Sequence, residues 1–427
     1  MSGPKSSAKI CLMIIRETIS AEFADVAKRT KENLLRIGAI ATSIGALAIP
    51  AAFASSETSP QMKYVGVATN EIWVEDSETA QAKAKLIADL GANAVRIFQP
   101  YSPGQAAEIK NDEERLCNAA EAAKDNDLTL FITMTGYKRN GEVGFAPLTA
   151  SGWKRFADTI GTVMWTLAGP NGCAKEVPEL NIGILNEVNS KKFFPQEYKD
   201  PSISPAARYE AMLETIYPRL KNEAIKITDE LKQYSEKPDK VEPITVNVIA
   251  GELASVHNLL GFIKEMGEAK RNRGYNEPIF DTIAIHPYME NSSVSPDVPH
   301  PDGSIIGIAD YDKLAPVVKK YFGEVPILYD ELGVETITPP YKRYTGSSPA
   351  SVKPVAEAVQ AIYIRKALAM VACQPRAAGL FNFLSADERN LKGWQSGIYY
   401  YDGDAKTSLP KIRQAFLDSR AGTIGNC

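Results

Sequence analysis

From Tyr64 onward, short apolar runs alternate with longer segments whose apolar residues recur every three to four positions. The apolar runs predict eight strands: Tyr64–Ala68, Ala94–Phe98, Leu128–Met134, Leu180–Leu185, Ile244–Ile249, Thr282–Ile285, Pro326–Tyr329 and Ala378–Phe383. The periodic segments predict a helix after each strand: Ser77–Leu90, Ala106–Lys124, Gly152–Leu167, Ala206–Tyr234, Ala254–Lys270, Asp312–Tyr321, Val352–Cys373 and Ser408–Ser419. Gly91 is placed to end the first helix, where a residue free to take positive φ is favoured. The strand runs are continuous rather than alternating, the pattern of strands covered by helices on both faces. Eight such units predict an α/β fold, a closed (β/α)8 or TIM barrel, as one catalytic domain over residues 64–427. An open dinucleotide-binding sheet is excluded, because the first turn reads Thr69-Asn70-Glu71 and carries no G-x-G-x-x-G.

The N-terminus has a different pattern. Lys28, Arg29, Lys31 and Arg36 precede an apolar, small-residue run from Ile37 to Ala54, which ends in Ala52-Phe53-Ala54. A basic stretch, an apolar stretch and an A-x-A-like end are the layout of a secretory signal peptide. Residues 1–54 are therefore expected to be a cleaved leader, with 55–63 a short linker and the mature protein secreted. An uncleaved leader would instead act as a membrane anchor. Of the five cysteines, Cys117, Cys173, Cys373 and Cys427 would remain. They are spaced too widely for a metal motif, and either disulfides in one of three pairings or free thiols fit them.

Charge narrows the function. The chain carries −4 overall, with seven Lys/Arg against four Asp/Glu through Ala54, so the barrel is near −7. That disfavours phosphate-backbone binding, and no nucleic-acid partner is expected. The three histidines, His257, His286 and His300, lack H-x-x-x-H spacing, so no metal is expected.

In a (β/α)8 barrel the site forms at the C-terminal ends of the strands. Strand 2 delivers Arg96 there, strand 3 Tyr137, strand 4 Asn186-Glu187, strand 5 Asn247, strand 6 His286-Pro287-Tyr288 and strand 7 Asp330-Glu331. Trp394 lies beyond strand 8. Glu187 and Glu331 thus face each other across the mouth, and glycoside hydrolysis needs such a carboxyl pair. A shell of Arg, His and Tyr can separate the pKa values of two carboxyl groups, so that one can be acid while the other is base. Glu331 is preferred over the nearby Glu335 because it ends the apolar run, and alternation then predicts that Asp330 points away from the barrel axis.

These segments resemble the clan A glycoside hydrolases, which include the family-five cellulases and mannanases. Asn181-Ile182-Gly183-Ile184-Leu185-Asn186-Glu187 is similar to their strand-4 motif, whose Glu is the acid/base. Pro326 through Gly333 resembles their strand-7 motif, whose Glu is the nucleophile. Val95-Arg96-Ile97 and His286-Pro287-Tyr288 resemble their strand-2 and strand-6 motifs. Two departures stand out: Val188 follows Glu187 where the family often has Pro, and strand 8 ends in Phe383 where a Trp is typical.

The resemblance implies a retaining glycosidase with Glu187 as acid/base and Glu331 as nucleophile, acting on an oligosaccharide or polysaccharide without a cofactor. Arg96, Asn186, His286, Tyr288, Trp394 and Tyr137 would line the substrate, and either Trp394 or Phe383 would stack on the sugar. A barrel that binds glycan or cell-wall polymer without cleaving it is the alternative, and transglycosylation would use the same two carboxylates.

Overall fold

A computed structural model describes residues 62–101, 109–136, 149–174, 177–194, 203–256, 258–425 and 427. The expected leader and Tyr137 lie outside them. Eight parallel strands close into a barrel in sequence order. They are β1 (Tyr64–Ala68), β2 (Ala94–Tyr101), β3 (Thr129–Gly136), β4 (Glu179–Ile184), β5 (Thr245–Ala254), β6 (Thr282–His286), β7 (Ile327–Leu332) and β8 (Ala377–Phe383). The helices are α1 (Ser77–Asp89), α2 (Ile109–Asp125), α3 (Ala150–Ala168), α4 (Pro205–Tyr234), α5 (Leu259–Asn272), α6 (Tyr311–Phe322), α7 (Glu357–Ala372) and α8 (Leu409–Arg420). No helix among the described residues is long and apolar enough to cross a membrane.

Local chemistry sets the helix ends. The Asp76 side chain accepts from the Thr79 N–H at the start of α1, and Thr149 and Ser204 do the same at the starts of α3 and α4. Each satisfies a donor the helix itself cannot. Gly91 has φ +86°, the left-handed conformation expected of it.

Alternation along the strands sorts their side chains into two cores. Outward residues such as Val65, Val95, Ile132, Ile182 and Ile283 pack under the helices. Inward residues fill the barrel itself: Tyr64, Phe131 and Phe381 meet edge to face, with ring centroids 4.8 and 5.1 Å apart, alongside Ala94, Ala284 and Leu328. Near the start of β5, Asn247 bonds Asn181 and Thr282, each at 2.9 Å. Asn247 is therefore interior packing, and the expectation that it sits at the mouth fails because β5 runs five residues further than its apolar run suggested.

Register shifts interrupt the alternation, and two of them lie toward the mouth. Between Ala250↔Ile283 and Leu253↔Ile285, Gly251 and Glu252 of β5 stand opposite the single Ala284 of β6. Between Tyr329↔Leu380 and Leu332↔Asn382, Asp330 and Glu331 of β7 stand opposite the single Phe381 of β8. Two residues against one is a β-bulge, which bends the strand and re-aims its side chains.

Candidate active site

Arg96 organises the mouth of the barrel. It is 1% exposed and stands two residues above Ala94 on the inward face of β2. Its Nη1 donates to Glu331 Oε2 at 3.1 Å, and its Nη2 donates to Glu252 Oε2 at 2.6 Å and to Asn186 Oδ1 at 2.9 Å. Its Nε donates to Thr133 Oγ1 at 2.8 Å and lies 3.2 Å from Asp330 Oδ2. Burial alone would lower the guanidinium pKa, but the charges of Glu252, Asp330 and Glu331 outweigh it and raise the pKa. Arg96 is therefore a fixed cation shared by three carboxylates.

Asp330 does not point away from the axis. It is 1% exposed and meets both Arg96 and His286. Leu328 already faces inward, so alternation carries Asp330 inward with it. Glu331 reaches the same side because the β7 bulge adds a residue.

His286 ends β6 and is fully buried. Its Nδ1 lies 3.1 Å from Glu187 Oε1 and 3.6 Å from Glu331 Oε2, and its Nε2 lies 3.4 Å from Asp330 Oδ1. Burial pushes the imidazole down, but Glu331, Asp330 and the hydrogen bond to Glu187 together raise it to about 9. The acids around it thus favour the doubly protonated ring. Tyr288, two residues on, donates its hydroxyl to Glu331 Oε1 at 2.8 Å. His300 Nε2 donates to the Tyr288 carbonyl at 2.8 Å, so His300 braces the tyrosine from outside the site.

Glu187 follows a sharp turn in which Leu185 and Glu187 both take positive φ, +66° and +47°. Its N–H donates to the Glu252 carbonyl at 2.9 Å, tying the turn to β5. Val188 is fully buried in the outer core, which accounts for an apolar residue at that position. One oxygen of Glu187, one nitrogen of His286 and one oxygen of Glu331 lie within 4.8 Å of one another.

The aromatic wall comes from three elements. The Trp394 ring lies 5.1 Å from Tyr288 and 5.4 Å, edge to face, from Phe383. Tertiary folding thus returns Trp394 to the end of β8 although it lies eleven residues past it in sequence. Its loop is clamped from below. Trp394 N–H donates to Glu388 at 2.7 Å and Gln395 N–H donates to Glu335 at 3.2 Å. The buried Lys406 donates to Asp387, Thr336 and the Gln395 carbonyl. Glu335, pushed up to about 7 by burial, is part of this clamp, whereas the partners of Glu331 are Arg96 and Tyr288.

Trp73 donates to Gln99 at 3.0 Å, with the Arg115 guanidinium 5.0 Å over its ring. Of the residues expected to form the site, Glu187, Glu331, Arg96, Asn186, His286, Tyr288 and Trp394 come together, while Tyr137 falls outside the described residues.

Sequence reading missed Glu252. It is 1% exposed, bonds Arg96, and accepts from Thr133 Oγ1 at 2.9 Å. A strand ended at Ile249 hides it. The available signal was Gly251 inside a longer run, since glycine within a strand often marks a bulge.

Two three-residue sets could supply metal ligands: Glu187, His286 and Glu331, and Glu252, His286 and Asp330. Glu331 of the first set, and Glu252 and Asp330 of the second, pair with the Arg96 guanidinium, whereas Glu187 pairs with His286.

No protein-family model matches the chain, and no curated protein sequence matches it. Solved structures do. A fungal β-1,4-galactanase aligns at 17% identity over 83% of this chain and 99% of its own, with a TM-score of 0.55. A GH53 catalytic domain from Ignisphaera aggregans aligns at 14% identity over 84% of this chain and 98% of its own, with a TM-score of 0.52. A GH5_18 protein from Streptomyces cattleya in complex with GlcNAc aligns at 14% identity over 85% and 81%, with a TM-score of 0.53. The chain shares with these proteins a (β/α)8 barrel fold.

Proposed function

We propose that this protein is a glycoside hydrolase that acts with retention of configuration, with Glu187 as acid/base and Glu331 as nucleophile. The observation that carries this reading is the pairing of the two carboxylates. An oxygen of each lies within 4.8 Å of the other, past the end of β4 and at the end of β7, with His286 Nδ1 3.1 Å from Glu187 and 3.6 Å from Glu331. Retaining enzymes hold the pair about 5–5.5 Å apart, whereas inverting ones need about 6.5–9.5 Å to admit a water. The barrel shared with β-1,4-galactanase and GH5_18 structures is a likeness of fold, so the reading rests on the site itself.

In the first step Glu331 attacks the anomeric carbon while Glu187 gives its proton to the departing glycosidic oxygen. The carbon–oxygen bond to the leaving group breaks and an ester to Glu331 forms. In the second step Glu187 takes a proton from water, the water oxygen bonds the anomeric carbon, and Glu331 leaves as a carboxylate. Arg96 and Tyr288 hold one oxygen each of Glu331, aiming the carboxylate at the anomeric carbon. The Asn186 oxygen is taken by Arg96, so its amide nitrogen is the group left to meet a sugar hydroxyl. Trp394, flanked by Tyr288 and Phe383, offers the flat apolar face on which a pyranose stacks. No cofactor takes part in this scheme.

Glu331→Gln keeps the shape and removes the nucleophile. Its turnover on a panel of aryl glycosides and defined polysaccharides should fall below detection while its melting temperature stays near wild type. Full turnover in that variant would end the assignment. Wild-type binding to a glycan without turnover of any would instead mark the protein as a glycan-binding barrel, and product analysis would separate hydrolysis from transglycosylation.

The same proposal includes secretion. The basic-then-apolar leader and the two disulfides, Cys117–Cys173 and Cys373–Cys427, fit an oxidising compartment. Expressed with its leader, the protein should appear outside the cell with Ser55 as its first residue. Retention in the membrane with Met1 intact would identify an anchor.

A further inference from the structure

We propose that Glu252 is a positioning residue for this reaction: its carboxylate shares the Arg96 guanidinium with Glu331, and its backbone carbonyl holds the main chain of Glu187. The inference rests on the glycosidase reading above.

Four features place this side chain. The β5 bulge sets Gly251 at φ +91° and Glu252 itself at φ +41°, a conformation unfavourable for a residue with a Cβ. The Tyr209 hydroxyl accepts the Gly251 N–H at 3.0 Å and donates to the Ile184 carbonyl, anchoring the bulge to the end of β4. Gly183 on β4 makes room, because a Cβ there would overlap the Glu252 carboxylate. The Thr133 hydroxyl on β3 donates to its other oxygen.

A structural partner for Arg96 is already supplied by Asp330 and Glu331, so charge pairing alone does not call for a third buried carboxylate. A third carboxylate adds repulsion that burial magnifies. What it changes is how the one guanidinium is divided. A guanidinium committed to Glu331 and Asp330 stabilises the resting carboxylate and weakens it as a nucleophile. One drawn partly toward Glu252 leaves Glu331 oriented but less quenched.

The groups facing Glu252 are Arg96 from β2, Thr133 from β3, His286 from β6, Asp330 from β7 and Tyr209 from α4. Burial raises its carboxyl to about 7 against the pull of Arg96. The division of Arg96 therefore changes as pH crosses neutrality.

Glu252→Gln keeps the shape and removes the titration. It should lower kcat about tenfold with KM within about twofold, and erase the inflection near pH 7 from the rate profile. His286 reports independently of any substrate. With only three histidines, its imidazole can be followed by NMR in the native protein. Its shift should show a minor inflection near pH 7 from Glu252 and a main midpoint near 9, and Glu252→Gln should remove the first and lower the second. Wild-type kcat and profile in the variant, or a native His286 curve without the inflection, would overturn the proposal. If the wild type turns over no glycoside, the glycosidase reading fails, and the His286 curves still judge the coupling of Glu252 to the site.

Discussion

Two buried cations, Arg96 and His286, face four carboxyl groups, Glu187, Glu252, Asp330 and Glu331. An excess of acids over cations in a buried space keeps protons in the cluster, and folding stability then depends on pH in a definite direction. His286 goes from an ordinary 6.5 to about 9 on folding, so its contribution is complete below about 6.5 and is lost as pH rises through about 9. Glu252 goes from 4.5 to about 7, so the fold favours its protonated form. That contribution is present below about 4.5 and is lost as pH rises through about 7. Both act in the same sense. The denaturant midpoint should be higher at about pH 5.5 than at about pH 9.5, and Glu252→Gln should flatten the part of the curve between about 4.5 and 7. A midpoint that rises between about pH 5.5 and 9.5 would contradict both assignments.

At the scale of elements, the two bulges decide what the strands deliver. A regular β5 would present its side chains in strict alternation, and a regular β7 would put only one of Asp330 and Glu331 inside. Each bulge stands next to a position with no side chain. Gly183 faces Glu252, and Gly333 lies against the Phe383 carbonyl and Ser396, where a Cβ would be too close to both. Gly183→Ala should therefore cost about 1–3 kcal/mol in chemical unfolding, as overpacked interiors do. It should also reduce activity, because the carboxylate it displaces holds Arg96. An alanine variant as stable as wild type would show that the β5 bulge can yield without loss. The loop carrying Trp394 depends on elements in the same way, since the Lys406 ammonium bridges Asp387, Thr336 and the Gln395 carbonyl with no exposure to water.

Across the whole molecule, the disulfides staple the outer ring of helices. Cys117–Cys173 joins α2 to the segment after α3, and Cys373–Cys427 joins the end of α7 to the C-terminal residue, closing a separation of 54 residues. Neither touches the mouth of the barrel. Replacing Cys373 and Cys427 with Ser should cost about 2–4 kcal/mol by releasing the unfolded chain, and should leave kcat unchanged below the new melting temperature. A fall in kcat at a temperature where the variant remains folded would connect that staple to the site.

The order of strands and helices was legible because burial on both strand faces and on one helix face writes directly into the spacing of apolar residues. Strand–helix alternation then leaves few closed arrangements. Glu187, Glu331, Arg96, His286 and Tyr288 were legible because each ends or sits within an apolar run, and strand ends in a barrel converge on one mouth. Other features were not written there. Glu252 lies past a glycine that reads as a strand end, Asp330 reads as outward-facing, and the distance of Trp394 from strand 8 leaves open whether it or Phe383 faces the sugar. Each depends on a register shift or a long-range clamp. Those are set by the pairing of neighbouring strands and by side chains distant in sequence, such as Phe381 opposite Asp330 and Glu331, or Lys406 beneath Trp394. The sequence by itself determined the barrel and the pair of glutamates, because local periodicity specifies them. Only the tertiary structure decided which additional carboxylates surround Arg96, because bulges are settled between strands rather than along one.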